Sequence, residues 1–518
     1  MNPRTTLAAL AVGALALTGL ASRPAAASHL AGRATRHPAD SLAVLSGEPT
    51  PTPALPGLPT RSNVLMITAD DLSTLDLPYM PHVRRLIADQ GVTFSDAIAP
   101  TPICAPARAS LLSGQYAHND GTVTISGPRG GYQSFDESPT LATALQAAGY
   151  DTLFAGKFIN GYGENGTARQ VPPGWTDWRA TIDPTTYHFF DPTLNVDGTL
   201  RRTHGYSTTI LSHQADEMIG APARQHRPWF AWVNYVAPHF GGPIEEGDPR
   251  QVFRGTAGAI PTTVPAPRDR GRFAGVPLPS RPDLFEPHRY TRLLPKNSPA
   301  RAHVPPIERT ALRMAYDQRL EADQGVDRAV AAQLRTLRRT GQLDRTVVVF
   351  ASDNGYATGE HNRNGKLWHY DEIVRIPMMR RGPGVPSGRT VSTPITNPDV
   401  TATILGIAGA RSQRTLDGVD MRPWLSAPPQ QRVVPIEGWP VTNGTRRLYA
   451  GVTVGPWTYI RLRHGHEELY DRTTDPYEVH DLVHVASAQG ALQELRSLTE
   501  RYRDCRGSTC PKQFYSLG

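Results

Sequence analysis

The 518-residue chain carries 54 Lys and Arg against 47 Asp and Glu, a formal charge of +7, with 39% hydrophobic and 19% charged residues. Such a balance describes a globular protein long enough for a large core and more than one domain, and 48 prolines and 46 glycines imply many loops. The net charge suits anionic partners, but the basic residues are dispersed and no aromatic-interleaved basic stripe occurs, which argues against nucleic acid.

Arg4, the apolar stretch from Thr6 to Ala21 and the small residues Ala25-Ala26-Ala27 read as a secretory signal over 1–27, with export and no stable membrane insertion expected. Residues 28–60, rich in Ala, Pro, Ser and Thr, read as a flexible lead-in, with order starting at Arg61. Four short apolar runs then share one design, each ending in polar residues. Val64–Thr68 ends in Asp70-Asp71, Asp151–Ala155 in Gly156-Lys157, Trp229–Val236 in Pro238-His239, and Thr346–Ala351 in Asp353-Asn354. Helical patterns separate them at Met80–Gln90, Thr140–Ala148, Tyr206–Ile219 and Ile307–Thr340. This alternation predicts an α/β fold, a mostly parallel central sheet sandwiched by helices, whose binding crevice lies at the carboxyl ends of its strands.

Between the first two runs lies Cys104-Ala105-Pro106-Ala107-Arg108. Prolines on both sides hold the cysteine extended, and Ala107–Leu112 are good helix formers, so Cys104 is expected just before a helix N-terminus, where an anion is favoured and Arg108 adds a planar cation. Only three cysteines occur; Cys505 and Cys510 are close enough to form a small disulfide after export, leaving Cys104 as the odd, reactive candidate. Asp70, Asp71, Asp353 and Asn354 form an oxygen-only donor set suited to Ca²⁺ or Mg²⁺. Lys157, His239 and Lys366 add candidate cationic partners for an anionic group, and His239 is a candidate proton donor if its pKa lies near working pH. The Pro- and Arg-rich span Pro238–Pro306 reads as surface loops bordering the site. Farther on, Tyr449–Val454 and Thr458–Leu462 predict a hairpin and Leu492–Tyr502 a terminal helix, in a smaller antiparallel subdomain starting near Arg432.

Cys104, Pro106, Arg108, Leu112 and Gly114 fill C-x-P-x-R-x-x-x-L-x-G, and the chain thereby resembles the formylglycine-dependent sulfatases (type I) of the alkaline phosphatase-like superfamily. Ala105, Ala107 and Gln115 depart from the usual Ser or Thr, Ser or Thr, and Arg. The resemblance implies that a formylglycine-generating enzyme converts Cys104 into formylglycine (3-oxoalanine). It implies one Ca²⁺ held by Asp70, Asp71, Asp353, Asn354 and residue 104, with Arg108 supporting the nucleophile and metal while Lys157, His239 and Lys366 contact sulfate. One hydroxyl of the hydrated aldehyde then attacks sulfur and the second expels sulfate, a sequence that a plain thiol cannot complete. A histidine common two residues after the first lysine is absent, Ile159 standing there. Phe154–Gly163, Pro172-Pro173-Gly174-Trp175 and Tyr116-Ala117-His118-Asn119 are similar to N-acetylglucosamine-6-sulfatases, although His118 is expected to be structural, and Glu468–Asp471 with Asp475-Pro476 matches the family's C-terminal subdomain. The implied organisation is a catalytic domain at 61–431 and a C-terminal subdomain at 432–518. The implied activity is a secreted, calcium-dependent sulfatase acting on a sulfated carbohydrate such as N-acetylglucosamine 6-sulfate. A broad arylsulfatase acting on aryl sulfates, or a phosphodiesterase or phosphonate hydrolase of the same superfamily, is the alternative.

Overall fold

Apolar runs with no polar interruption need cover on both faces, and they occupy the middle of the principal sheet in the computed structural model, which describes residues 42, 45, 48–55, 61–221, 224, 226–249, 262–286, 304–442 and 444–516. The signal sequence expected over 1–27 lies outside the described residues. In chain order the first elements are β1 (Asn63–Asp70), β2 (Gly91–Phe94), α1 (Cys104–Ser113), α2 (Leu141–Ala147), β3 (Asp151–Gly156), β4 (Asp177–Thr181), β5 (Thr193–Val196), β6 (Thr199–Arg202) and α3 (Ser207–Gly220). There follow β7 (Trp229–Pro238), α4 (Pro306–Arg339), β8 (Thr346–Ser352), β9 (Met378–Arg381), β10 (Arg389–Val391) and α5 (Asn397–Ala408). The C-terminal part adds β11 (Val434–Gly438), β12 (Tyr449–Val454), β13 (Trp457–Leu462), β14 (Glu467–Asp471) and α6 (Gln489–Tyr502).

The principal sheet has ten strands in the order β10-β2-β9-β8-β1-β7-β3-β4-β5-β6. β8, β1, β7, β3 and β4 run parallel, and antiparallel strands flank them on both sides. Alternate residues of β1 serve two cores. Val64 and Met66 pack with Ala105 and Ala109 of α1, Leu141 of α2 and Ile404 of α5. Leu65 and Ile67 pack with Leu211 of α3 and Val326, Val330 and Leu334 of α4. The helix expected over Met80–Gln90 is shorter and irregular: Pro81–Val83 leads into a wide π-type turn, Arg84–Ala88. The chain must straighten by Gly91, where a Cβ would sit 2.1 Å from the Arg380 carbonyl oxygen of the neighbouring strand.

β11, β12, β13 and β14 form a separate antiparallel sheet. Its two-residue turn is Gly455-Pro456, with Gly455 at φ +53°, so Trp457 belongs to the strand rather than to the turn. One face (Val452, Val454, Tyr459, Leu469) takes Leu492, Leu495 and Leu498 of α6; the other (Tyr449, Ile460, Leu462, Tyr470) packs on Trp368, Tyr370 and Ile373. Cys505 and Cys510 are disulfide-bonded. Parts of the expected lead-in are docked here: Leu42 is buried in the α6 core, and Thr50 N–H donates to the Phe514 carbonyl. The described part of Pro238–Pro306 is likewise more than surface loop. Asp269 pairs with Arg328 of α4, and Asp283, fully buried, pairs with Arg281.

Candidate active site

The carboxyl ends of β1, β3, β7 and β8 bring their polar residues together. The register between β1 and β7 shifts after Ala69, which sets Asp70 opposite Pro238. Asp71 takes φ +65°, a conformation costing roughly 1–3 kcal/mol for a non-glycine residue. That turn is held from β8: Asp71 N–H donates to Asp353 Oδ1 at 3.2 Å, and Leu72 N–H donates to Ser352 Oγ at 2.9 Å.

Cys104 is the first residue of α1, one position farther into the helix than the sequence suggested, because Ile103 takes the extended N-cap conformation and Pro106 is tolerated in the first turn. Its Sγ lies 3.3 Å from Asp70 Oδ1, and Lys366 Nζ lies 2.7 Å from Sγ and 2.6 Å from Asp71 Oδ1. Burial, reinforced by the Asp70 carboxylate, pushes the thiol far above its usual range. As a thiol, residue 104 is therefore protonated and inert at neutral pH.

Arg108, one turn along and 1% exposed, binds three strand ends. Its Nε donates to Asp353 Oδ2 at 2.9 Å, Nη1 donates to the Lys157 carbonyl at 2.8 Å, and Nη2 lies 3.7 Å from Asp70 Oδ2. Gly156 ends β3 at φ +105°, where a Cβ would meet the Asn234 carbonyl oxygen at 1.9 Å; only glycine permits this approach. The next residue, Lys157, pairs with Asp70 and stands 4.9 Å over the Tyr187 ring. His239 Nδ1–H donates to the Phe240 carbonyl at 2.6 Å, and its Nε2 lies 3.7 Å from Asp71 Oδ2.

Burial would raise the Asp70 pKa, but Lys157, His239, Arg108 and Lys366 together hold it well below the usual carboxylate range. Asp71 is lowered in the same way, burial opposed chiefly by Lys366. Asp353 is pushed up to about 6 by burial and by Asp70. Burial, then Lys366, lowers His239 to about 4, so at neutral pH its ring is neutral and Nε2 presents a lone pair. The proton-donor role expected for His239 requires a higher pKa than this arrangement gives. Lys157 and Lys366 stay protonated despite burial, because Asp70 and Asp71 respectively raise them.

Asp71 Oδ2 and Asn354 Oδ1 are buried without a hydrogen-bond partner among the described residues. Donor atoms of Asp70, Asp71, Cys104 and His239 all lie within 4.8 Å of one another. Orphaned hard oxygens on Asp71 and Asn354, with the Asp70 carboxylate close by, fit a divalent cation. Asp353 is more committed than the sequence suggested: Oδ2 takes Arg108, while Oδ1 takes the N–H groups of Asp71 and Asn354. Asp70, Asp71, Cys104, Arg108, Lys157, His239, Asp353, Asn354 and Lys366 thus converge.

Tyr187 was not legible in advance, since it lies in no apolar run or motif. Its ring stands 5.0 Å from that of His239, and its hydroxyl accepts from Asn160 Nδ2 at 2.7 Å. Ile159, in the place of the usual histidine, points into the core instead. His118 is structural: Nδ1 lies 2.9 Å from Glu437 Oε1, and Nε2 lies 2.8 Å from the Cys505 carbonyl.

Residues 62–410 match the protein-family model described as Sulfatase, and residues 359–504 match that described as N-sulphoglucosamine sulphohydrolase, C-terminal. The chain is 28% identical to an arylsulfatase of Volvox carteri over 87% of its length and 76% of the relative's. It is 29% identical to the N-acetylglucosamine-6-sulfatase of Homo sapiens, over 70% of this chain and 64% of the human protein. A protein solved in complex with its substrate D-glucosamine-2-N,6-O-disulfate superposes with a TM-score of 0.69 at 21% identity, covering 85% of this chain and 97% of that one.

Proposed function

The chain belongs to the sulfatase family and is a sulfuric ester hydrolase, and from that premise we propose that it is a secreted, calcium-dependent enzyme acting on sulfated sugars, with N-acetylglucosamine 6-sulfate as the leading substrate. We assign catalysis to 61–431 and a supporting role to 432–518. The observation that carries the reading is Cys104 at the centre of three carboxylates and three permanent cations, with a thiol too high in pKa to act as a thiolate. Oxidation of Cys104 to formylglycine would supply what the thiol lacks, a hydrated aldehyde with one hydroxyl to attack sulfur and another to release sulfate. Ca²⁺ held by Asp70, Asp71, Asn354 and residue 104, with Asp353 beside it, would supply Lewis-acid polarisation of oxygen.

The chain's own residues do the rest. Lys157 and Lys366 present fixed positive charge to the ester oxygens, where charge builds as the S–O bond breaks. Lys366, protonated and next to Sγ, places a fixed positive charge where the leaving oxygen becomes negative. Neutral His239 offers Nε2 as an acceptor and so orients a hydroxyl donor at the nucleophile. Tyr187 packs beside His239 and beneath Lys157, and with Asn160 it takes over the positioning that a histidine at 159 would perform.

An arylsulfatase is the second reading, favoured by the Volvox relative, whose likeness covers more of this chain than that of the human enzyme. The test is mass analysis of the peptide containing residue 104 from enzyme coexpressed with a formylglycine-generating enzyme, together with turnover of N-acetylglucosamine 6-sulfate, 4-nitrophenyl sulfate and an aryl phosphodiester. The sugar sulfate is expected to give the highest kcat/KM. An unmodified cysteine in fully active protein refutes the nucleophile, and preference for the phosphodiester refutes the substrate class.

A further inference from the structure

The C-terminal sheet carries a second basic site that none of the roles above uses. Where the segment before β12, the end of β13 and the end of α6 meet, a cavity of about 380 Å³ is lined by Arg446, Arg447, Arg461, Arg463 and Arg503, with Glu500 as the lone acid of its lining. Three of these arginines already have carboxylates. Arg447 pairs with Glu437 and Asp504, Arg461 with Glu500, and Arg503 with Glu500 and Asp504. Arg446 and Arg463 are exposed and have no carboxylate partner among the described residues. Like charges gathered around a concavity repel one another, and an anion entering it relieves that repulsion while gaining a focused positive potential.

We propose that this cavity is an exosite for a sulfated saccharide, holding an anionic sugar unit of the same substrate class that the catalytic site cleaves; the choice of ligand rests on the sulfated-sugar reading above. Guanidinium forks match the paired oxygens of a sulfate in a planar, bidentate way. The volume lies at the small end of ligand clefts, enough for a sugar residue with its charged substituent. A nucleic-acid ligand is disfavoured, because the aromatic residue of the lining, Tyr449, is fully buried and gives no stacking platform. Tyr449 also donates its hydroxyl to the Leu367 carbonyl at 2.8 Å, so the sheet that carries the cavity is bonded to the loop of Lys366.

The test uses the full chain with Arg446→Ser and Arg463→Ser together, both exposed and neither part of the catalytic machinery. Binding of a size-defined heparin hexasaccharide is measured at several salt concentrations on protein carrying Cys104→Ala, and a DNA duplex of equal charge serves as the competing polyanion. Affinity for the hexasaccharide is expected to fall about tenfold with a shallower salt dependence. In converted enzyme, KM for a sulfated oligosaccharide rises while kcat stays constant, and kcat/KM for 4-nitrophenyl sulfate does not change. Unchanged hexasaccharide affinity and KM overturn the exosite, as does a DNA duplex that binds the parent as tightly as the hexasaccharide. Enzyme that hydrolyses no sulfate ester while binding remains arginine-dependent overturns the functional reading and leaves the exosite standing.

Discussion

Replacing Arg108 by alanine removes the single guanidinium that touches the ends of β1, β3 and β8 at once. Asp353 and Asp70 are both fully buried, so the change leaves Asp353 a buried carboxylate without its closest cation. Breaking a buried pair from one side costs about 3–5 kcal/mol. Arg108→Lys keeps the charge, but one Nζ cannot reach both Asp353 Oδ2 and the Lys157 carbonyl. It loses one charge-assisted hydrogen bond, about 1.5–3 kcal/mol. Arg108→Ala with Asp353→Asn removes the stranded charge and is expected to be milder than Arg108→Ala alone. The assay is urea unfolding followed by tryptophan fluorescence, with EDTA present so that divalent ions do not mask the difference. An Arg108→Ala protein within about 0.5 kcal/mol of its parent, the range of neutral surface changes, refutes the argument, as does a double variant that costs the sum of the two singles.

Gly156→Ala places a methyl 1.9 Å from the Asn234 carbonyl oxygen and is expected to lower thermal stability severely, whereas Gly465→Ala, at φ +83° with nothing within 4 Å, costs about 1 kcal/mol; equal effects in differential scanning calorimetry sink the close-approach reading. His118 and Glu437 give a pH signature. Burial lowers the His118 pKa, but Glu437 outweighs it and raises the value to about 9, while His118 and Arg447 hold Glu437 below 4.5. The His118 contribution is complete below its unfolded value of 6.5 and is lost as pH rises through about 9. That of Glu437 is present above 4.5 and is lost as pH falls through its depressed folded value. The stability gap between the parent and His118→Gln should therefore be widest between about pH 4.5 and 6.5, and a gap independent of pH contradicts the pair. Converting Cys505 and Cys510 to serine opens a loop of sequence separation 5 and should cost about 2 kcal/mol in chemical denaturation; no change shows that the bridge constrains nothing in the unfolded chain.

The acidic half of the site was legible because Asp70, Asp71, Asp353 and Asn354 sit at strand ends, whereas the roles of Cys104, Arg108, Lys157, His239 and Lys366 came from the motif resemblance. A run such as Val64–Thr68, followed at once by Asp70-Asp71, states both that a strand is buried and where it surfaces. Tyr187 was not legible, since it reaches His239 and Lys157 from a single helical turn, Thr185–Tyr187, far from either in sequence. Leu42 was not legible for a related reason: it has no periodic neighbours, and only the α6 core reveals what it packs against.

Local pattern alone determined the parallel α/β architecture, the four polar strand ends and the Cys104 helix, because burial on both faces and helix start signals are written in adjacent residues. The tertiary structure decided how those ends are charged and joined: Arg108 spanning three strands, His239 driven to neutrality, Asp353 taken up by backbone and guanidinium, and an arginine cavity on the C-terminal sheet. Such properties arise from groups scattered along the chain that meet only after folding, and a pKa or an ion pair depends on distance and burial, which no short stretch of sequence specifies.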